Sequence, residues 1–169
     1  MRILLPAAVL SASAFAGDLE VTIEIPRLQA AEYHRPYVAM WVEKPDQSVA
    51  GNLAVWYDQQ SSKPEAGTTW LKDLRQWWRK AGREMKMPVD GVSGATRPPG
   101  THTVRIAGTR PGLAGLAAGS YQLVIEAARE VGGREIVRVP FQWPAAAGAK
   151  PGQARGQFEL GAIQVTVKP

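Results

Sequence analysis

The segment from 90 to 96, Asp-Gly-Val-Ser-Gly-Ala-Thr, places two hydroxyl groups and one carboxylate among small residues. Its Asp-Gly and Ser-Gly pairs are typical of turns, and the Arg-Pro-Pro-Gly run at 97–100 extends the loop. A threonine hydroxyl such as that of Thr96 is a weak nucleophile without an adjacent base or a metal ion. On local propensity alone, the segment is therefore predicted to be a connection between two strands.

The order Asp, two variable positions, Ser or Thr, Gly, Ala, then Ser or Thr resembles the acceptor motif of proteins modified by flavin transferases of the ApbE type. The resemblance implies that Thr96 receives FMN through a phosphoester bond, with FAD as the donor. It places Asp90, Ser93, Gly94 and Ala95 in the same cofactor-binding segment. Gly94 and Ala95 let the backbone approach closely, and a hydrogen bond from Ser93 to a nearby backbone group would shape the turn. Asp90 either positions the loop or contacts the transferase.

A flavin at this position needs an aromatic or apolar surface for its ring and cations for its phosphate. Trp77 and Trp78 are the expected aromatic contacts, with Trp70 behind them. Two adjacent tryptophans cannot both face the core from one helix, and the helical phase predicts that Trp78 is the exposed one. Arg97 is the cation next to the acceptor, and each of these residues can instead be purely structural. The other nearby cations are Lys86 and Arg79.

Residues 69–81 (TWLKDLRQWWRKA) contain no Gly or Pro and break the strand-like pattern of the chain. Their apolar residues recur at the spacing of one helical face, which predicts a short helix. These residues are Trp70, Leu74, Trp77 and Ala81. Thr68 or Thr69 is expected to cap the N-terminus of this helix, and Gly82 is expected to end it.

The remaining sequence consists of short predicted strands separated by turns. Segment 19–25 alternates apolar and polar residues with a period of two, and 101–106 repeats the alternation. The other predicted strands cover 37–43, 53–57, 121–127, 136–143 and 158–167. Because these strands do not alternate with helices, the sequence predicts an all-β fold, an immunoglobulin-like antiparallel β-sandwich with one short inserted helix. Residues 17–169 are expected to form this single domain.

Several details of the second half follow from the same pattern. Gly132-Gly133 predicts a hairpin turn in which positive φ costs little, and Gly161 is a candidate bulge in the last strand. Residues 144–156 are rich in Ala, Gly and Pro and are interpreted as a loop. The acidic residues that flank the hairpin are interpreted as outward-facing charges. They are Glu126, Glu130 and Glu135.

Composition excludes several kinds of site. The chain of 169 residues has no cysteine, which excludes disulfides, thiolate metal sites and iron–sulfur clusters. Its two histidines, His34 and His102, make a weak case for a metal pair. The net charge is +5, and a cluster of basic residues at 72–83 could bind nucleic acid, but export from the cytoplasm argues against that partner. No nucleophile, base and orienting residue stand in a pattern that indicates a hydrolase.

Residues 1–16 have the pattern of a secretory signal peptide. Arg2 precedes an apolar and small-residue stretch from Ile3 to Ala12, and Ala14 and Ala16 occupy the positions read by a signal peptidase. The stretch is too short to span a bilayer. Cleavage after Ala16 would release a periplasmic protein; a buried N-terminal strand or a retained anchor is the alternative.

A second resemblance rests on five runs that extend over most of the chain after residue 16. They are YVAMWVE, LAVWY, WLKDLRQWWRKAG, DGVSGATRPPGTHTV and GSYQLVIEAAREVGGRE. They resemble a family of predicted periplasmic proteins, domain of unknown function 2271, associated with PepSY-type membrane reductases and flavin transferases. The resemblance implies an extracytoplasmic electron carrier with covalent FMN, more a carrier than an enzyme, of open oligomeric state. The alternative function is that of a non-redox periplasmic binding or adaptor module.

Overall fold

Two β-sheets pack face to face in the computed structural model, which describes residues 17–59 and 67–169. The strands of these residues are β1 (Asp18–Ile25), β2 (Tyr37–Glu43), β3 (Val49–Tyr57), β4 (Ser93–Ala95), β5 (Gly100–Ile106), β6 (Gly119–Ala128), β7 (Arg134–Trp143), β8 (Gly152–Arg155) and β9 (Ala162–Lys168). One sheet has the order β5-β1-β9-β8 and the other the order β4-β3-β2-β6-β7. The predicted all-β sandwich is confirmed. The predicted signal peptide, 1–16, lies outside the described residues.

Alternating apolar residues of the strands fill the space between the two sheets. In β1, Leu19, Val21 and Ile23 are fully buried, whereas Glu20 and Thr22 between them are partly exposed. Strand β1 pairs antiparallel with β5 on one side and with β9 on the other, so its inward face meets the opposite sheet. Each such aliphatic side chain contributes about 1.5–3 kcal/mol of burial free energy. The period of two therefore identifies this strand and its buried face correctly.

The five-stranded sheet is covered on both faces. One face meets the other sheet, and the opposite face carries a second apolar cluster. In this cluster Trp41 and Val124 of the sheet pack together with Leu74 and Trp77 of the helical segment. Six of the seven residues of β2 are consequently buried. A strand buried on both faces has no polar side to alternate with, which explains the continuous apolar run of β2.

The segment that covers the outer face is helical only in part. It contains a 3₁₀ turn at Leu71–Asp73, helix α1 at Arg75–Lys80 and a second 3₁₀ turn at Gly82–Glu84. The prediction of one helix over 69–81 is wrong in extent, because Leu74 leaves the helical region with φ −74° and ψ 70°. Thr68 and Thr69, the predicted N-terminal caps, lie more than one helical turn before α1, so neither of them caps it.

The break at Leu74 decides how the tryptophans are exposed. Trp70 is out of phase with the buried face, and 52% of its surface is exposed. Its predicted place on the same helical face as Trp77 is therefore wrong. Trp77 is fully buried, and its indole N–H donates to the side-chain oxygen of Asn52 at 2.9 Å. Trp78 is half-buried, as the helical phase predicts.

A buried carboxylate from β6 caps α1. The two carboxylate oxygens of Glu126 accept hydrogen bonds from the backbone N–H groups of Gln76 at 3.1 Å and Trp77 at 2.8 Å. Arg134 of β7 donates to the same carboxylate at 2.9 Å. The first N–H groups of a helix have no partner within it, so they favour a negative acceptor at this position. The interpretation of Glu126 as an outward-facing charge is therefore wrong.

In the turn between β6 and β7, the residue with an unusual backbone conformation is one that the sequence pattern does not single out. Val131 has a φ of +51°, while neither Gly132 nor Gly133 has a positive φ. The N–H of Gly132 donates to the carbonyl of Arg129 at 3.0 Å and closes the turn. A β-branched residue rarely adopts positive φ, so this turn stores backbone strain. The prediction that a glycine takes this conformation is wrong.

The chain after β7 also departs from the predicted pattern. Residues 144–156 are not entirely a loop, because they include β8. The last strand begins at Ala162, and Gly161 precedes it instead of forming a bulge within it. A Cβ atom at Gly161 would lie 2.3 Å from a carboxylate oxygen of Glu24, so a larger residue there would displace the Glu24 side chain.

Glu135, at the start of β7, holds the loop between β8 and β9. Its carboxylate accepts hydrogen bonds from the N–H groups of four consecutive loop residues, 157–160. Burial alone would raise the pKa of Glu135, but these hydrogen bonds outweigh burial and hold the pKa below its usual value. Of the three acidic residues near the hairpin, Glu130 is the exposed one.

We expect Glu135→Gln to flatten the loss of stability at acidic pH. A carboxylate whose pKa is lowered by folding stabilises the protein above the pKa of the unfolded chain, about 4.3 for Glu, and this contribution is lost as the pH falls through the folded-state pKa. Urea unfolding followed from neutral to acidic pH should show a steeper loss in the wild type than in the variant. Glu130→Gln, an exposed change of the same chemistry, is the matched control. Parallel curves for wild type and Glu135→Gln would contradict the expectation.

Candidate functional site

The acceptor-like segment 90–96 is attached to an edge of the five-stranded sheet. Its residues 93–95 form β4, which pairs parallel with the last residues of β3. The backbone N–H of Thr96 continues the pairing by donating to the carbonyl of Tyr57 at 3.2 Å. Thr96 is partly exposed. The predicted acceptor hydroxyl thus lies at the anchored end of a strand and not at the tip of a free loop.

Side-chain and backbone hydrogen bonds fix the turn that precedes β4. The hydroxyl of Ser93 accepts a hydrogen bond from the N–H of Val89 at 2.8 Å, and the N–H of Ser93 donates to the carbonyl of Val89 at 2.9 Å. Gly91 in this turn has a φ of +72°, which glycine adopts without steric strain. The predicted local hydrogen bond of Ser93 is confirmed. Asp90 is exposed and forms no hydrogen bond or ion pair with any part of the chain that the structure describes.

We expect Ser93→Ala to destabilise the protein by about 1–2 kcal/mol, because the N–H of Val89 loses its acceptor in a partly buried turn. Urea unfolding monitored by tryptophan fluorescence measures the change. Ser120→Ala removes a hydroxyl that is also hydrogen bonded but exposed, and it should change stability much less. Equal effects of the two substitutions would show that the turn does not depend on the Ser93 hydroxyl.

Gly94 leaves room for a buried tryptophan. A Cβ atom at Gly94 would lie 3.2 Å from Cδ1 of Trp56, closer than most real contacts. On this indole, the Arg97 guanidinium carbon lies 5.2 Å from the ring centroid, and the His102 ring packs edge-on at 6.0 Å. The predicted phosphate cation Arg97 is therefore placed against Trp56 by a cation–π contact.

Thr96 lies on the wall of an open cleft of about 680 Å³, here called the Thr96 cleft. Five stretches of chain meet in it, around 33–37, 58–59, 70–73, 95–96 and 128–131. Its aromatic side chains are Tyr33, Tyr37 and Trp70, and its charged or titratable side chains are His34, Arg35, Asp58, Asp73, Arg129 and Glu130. Trp78 and Arg97 are not among the lining residues. The structure therefore brings Trp70, and not Trp78, into the Thr96 cleft.

Arg129 is a buried cation in this cleft. Only 10% of its side chain is exposed, and its Nε and Nη2 donate to the carboxylate of Glu159 at 2.9 and 3.1 Å. Its remaining nitrogen, Nη1, is buried and has no hydrogen-bond partner in residues 17–59 and 67–169. The hydrogen bond with Glu159 raises the pKa of the Arg129 guanidinium, so the group is charged. An unsatisfied buried donor costs about 1–3 kcal/mol, which favours an anionic acceptor at Nη1.

The two histidines lie in different surroundings. His34, in the Thr96 cleft, lies 3.2 Å from the carboxylate of Glu32 and 3.5 Å from that of Glu130. His102 lies 2.7 Å from the carbonyl of Pro98, beside Trp56. Among the residues with described positions, no group of three or more His, Asp or Glu side chains is arranged to hold a metal ion.

Comparison with models of protein families establishes the relationship of this chain. The model described as "Predicted periplasmic protein (DUF2271)" matches residues 18–162, a range that contains β4 and the whole Thr96 cleft. The chain belongs to the DUF2271 family. The resemblance inferred from the five sequence runs is thereby confirmed. No curated protein and no solved structure matches the chain significantly. Within the described ranges of this DUF2271 protein, no helix is long and apolar enough to cross a membrane.

Sequence reasoning missed most residues of the cleft, among them Tyr33 and Arg129, and it missed Glu159, the partner of Arg129. Tyr33, Arg129 and Glu159 come from separate parts of the chain, and nothing in their local sequence shows that they meet. One local feature does single out Arg129: it directly follows the buried end of β6. A charged residue that is buried at such a position needs a partner of opposite charge. This feature indicates a pair, but it does not identify Glu159 as the partner.

Proposed function

We propose that this DUF2271 protein carries FMN covalently on Thr96 and serves as an extracytoplasmic electron carrier. The observation that supports the proposal most strongly is the position of Thr96. The last residue of the acceptor-like segment lies on the wall of a cleft with three aromatic side chains and a buried arginine whose Nη1 has no partner among the described residues. An ordinary turn has no need of such surroundings.

The residues of the Thr96 cleft fit a flavin mononucleotide. A volume of about 680 Å³ lies within the range of about 300–1,000 Å³ usual for small-molecule sites. Trp70 offers a half-exposed indole for contact with the flavin ring system. Arg129 offers a charged donor for the phosphate, and charge-assisted hydrogen bonds of this kind are the stronger ones. Aromatic surface and a phosphate donor are thus present together.

When attached, FMN supplies the redox chemistry, and the protein supplies placement and surroundings. Thr96 holds the phosphate at a fixed point, because its backbone is tied to the sheet edge through Tyr57. The aromatic side chains of the cleft exclude water from part of the ring. The proposed redox partner is a PepSY-type membrane reductase.

Attachment requires a flavin transferase, the second proposed partner. The Thr96 hydroxyl oxygen attacks the phosphorus of FAD that carries the flavin, a new phosphoester bond forms, and AMP leaves with the bonding electron pair. The hydroxyl proton passes to a base of the transferase, so this chain needs no base of its own. Asp90, exposed in the connection between β3 and β4, is available for contact with that enzyme.

The test is the intact mass of the exported protein after co-production with an active flavin transferase. We expect a mass increase equal to one FMN minus one water molecule, located on the peptide that contains Thr96. The same protein produced without a transferase should be colourless and unmodified. An unchanged mass, with the transferase shown to modify a known acceptor, would refute the flavin proposal and leave a periplasmic β-sandwich binding module as the function.

A further inference from the structure

We propose that Arg129 is the phosphate-binding residue of the Thr96 cleft and that its Nη1 donates a hydrogen bond to a non-bridging oxygen of the flavin phosphate. The inference rests on the proposed function for the identity of the phosphate ester. The structure supplies the donor itself: a guanidinium nine-tenths buried, in a residue that lines the same cleft as Thr96, with one nitrogen that no described residue satisfies. This nitrogen is itself buried, so a phosphate reaches it once the side chains that cover it move aside.

The orientation of the Arg129 guanidinium is fixed on its opposite side. Nε and Nη2 make a paired contact with Glu159, which is itself only 4% exposed. A second donor, the N–H of Gly133, holds the same carboxylate at 2.9 Å. The Tyr33 ring lies against the guanidinium, with 5.9 Å between its centroid and Cζ of Arg129. A planar group held in this way presents its remaining nitrogen in one direction without further loss of side-chain entropy.

The described carboxylates of the cleft outnumber its two arginines, so an anion depends on the one described cation that is shielded from solvent, Arg129. These carboxylates belong to Asp58, Asp73 and Glu130. His34 is shared between two carboxylates, and Arg35 is exposed, so solvent weakens its attraction for an anion. The Arg129–Glu159 pair is neutral in sum, yet Nη1, which has no acceptor among the described residues, still offers a directed donor, and water has little access to this guanidinium. Arg129 is therefore expected to distinguish flavins with a phosphate from flavins without one.

The experiment measures non-covalent flavin binding by the full-length protein with Thr96→Val, which cannot form the ester. FMN and riboflavin, which lacks the phosphate, are titrated separately, and quenching of flavin fluorescence reports binding. We expect FMN to bind about tenfold more tightly than riboflavin or better, the size of one charge-assisted hydrogen bond. In Thr96→Val with Arg129→Gln and Glu159→Gln, FMN and riboflavin should bind equally.

Replacing both members of the pair avoids a buried unpaired carboxylate, and the side-chain amide oxygen introduced by Glu159→Gln would keep an acceptor for the Gly133 N–H. Circular dichroism verifies the fold of each variant. Arg105→Gln, which removes an exposed arginine of β5 outside the cleft, is the matched control and should keep the preference for FMN. Equal binding of the two flavins by Thr96→Val, absence of FMN binding, or an unchanged preference in the Arg129 variant would each overturn the inference.

The two proposals fail in different ways. If the wild type gains the mass of FMN on Thr96 but the preference for FMN is absent, the carrier function stands and the role of Arg129 is wrong. If the preference is present but no covalent flavin forms, Arg129 belongs to a reversible phosphate-ester site and the carrier proposal is wrong.

Discussion

Thr96→Val is expected to abolish covalent flavin attachment completely while leaving the fold unchanged. Valine has nearly the shape of threonine and lacks only the hydroxyl oxygen that would form the ester. The backbone hydrogen bond from position 96 to Tyr57 does not involve the side chain, so β4 keeps its place at the sheet edge. The intact mass and the visible absorbance after co-production with a transferase measure attachment, and circular dichroism measures the fold.

Two matched substitutions make the Thr96 result interpretable. Thr96→Ser retains a hydroxyl at the same position and should still acquire FMN. Thr103→Val removes an exposed hydroxyl from β5, away from the cleft, and should leave attachment unchanged. Flavin that persists in Thr96→Val, found on another residue by peptide mapping, would show that the acceptor was assigned wrongly.

Glu126→Ala is expected to be the most destabilising single substitution discussed, at about 3–5 kcal/mol, the usual effect of removing one partner from a buried charged pair. The substitution deprives two N–H groups of α1 and the guanidinium of Arg134 of their acceptor. Arg134 is partly exposed and regains water, which places the effect near the lower end of that range. Urea unfolding of wild type and variant measures the difference.

Glu126→Gln keeps one acceptor oxygen and should be destabilising to a smaller extent than alanine. Glu20→Ala, which breaks exposed ion pairs on β1, is the surface control and should have little effect. If Glu126→Ala and Glu20→Ala prove equally mild, the capping role of Glu126 is wrong. Loss of this cap should also displace α1 and Trp70 before it, so flavin attachment in Glu126→Gln offers a second readout.

The parts of the fold that were predicted correctly are those that follow from the hydrophobic pattern of a short stretch of sequence. The alternation over 19–25 predicts a strand buried on one face, and the apolar run over 37–43 predicts a strand buried on both faces. Both patterns can be read from residues that are neighbours in the sequence. The parts predicted wrongly depend on distant residues. Helix α1 begins only after the break at Leu74, where Glu126, fifty residues from Gln76, accepts hydrogen bonds from the first turn of the helix. Residues 93–95 become a strand because β3 offers an edge.

The candidate site shows the same division. The motif singles out Thr96 as the proposed acceptor, and its turn residues behave as the local chemistry predicts, since the Ser93 hydroxyl accepts a hydrogen bond from the N–H of Val89 within the same turn. The surroundings of Thr96 were predicted less well, because a regular helix was assumed and the break at Leu74 moves Trp70 instead of Trp78 into the cleft. Arg129 requires the tertiary fold, since its partner Glu159 comes from the loop before β9.

The open shape of the Thr96 cleft has a consequence for affinity. A ring system tethered by a short linker is present at its own site at an effective concentration in the millimolar range, about 1 mM, whatever its concentration in solution. The cleft therefore needs only weak intrinsic affinity to keep a tethered ring docked for much of the time. The same weakness allows frequent undocking, so one covalent bond would let this small protein combine permanent retention of a cofactor with brief presentation of it to another protein.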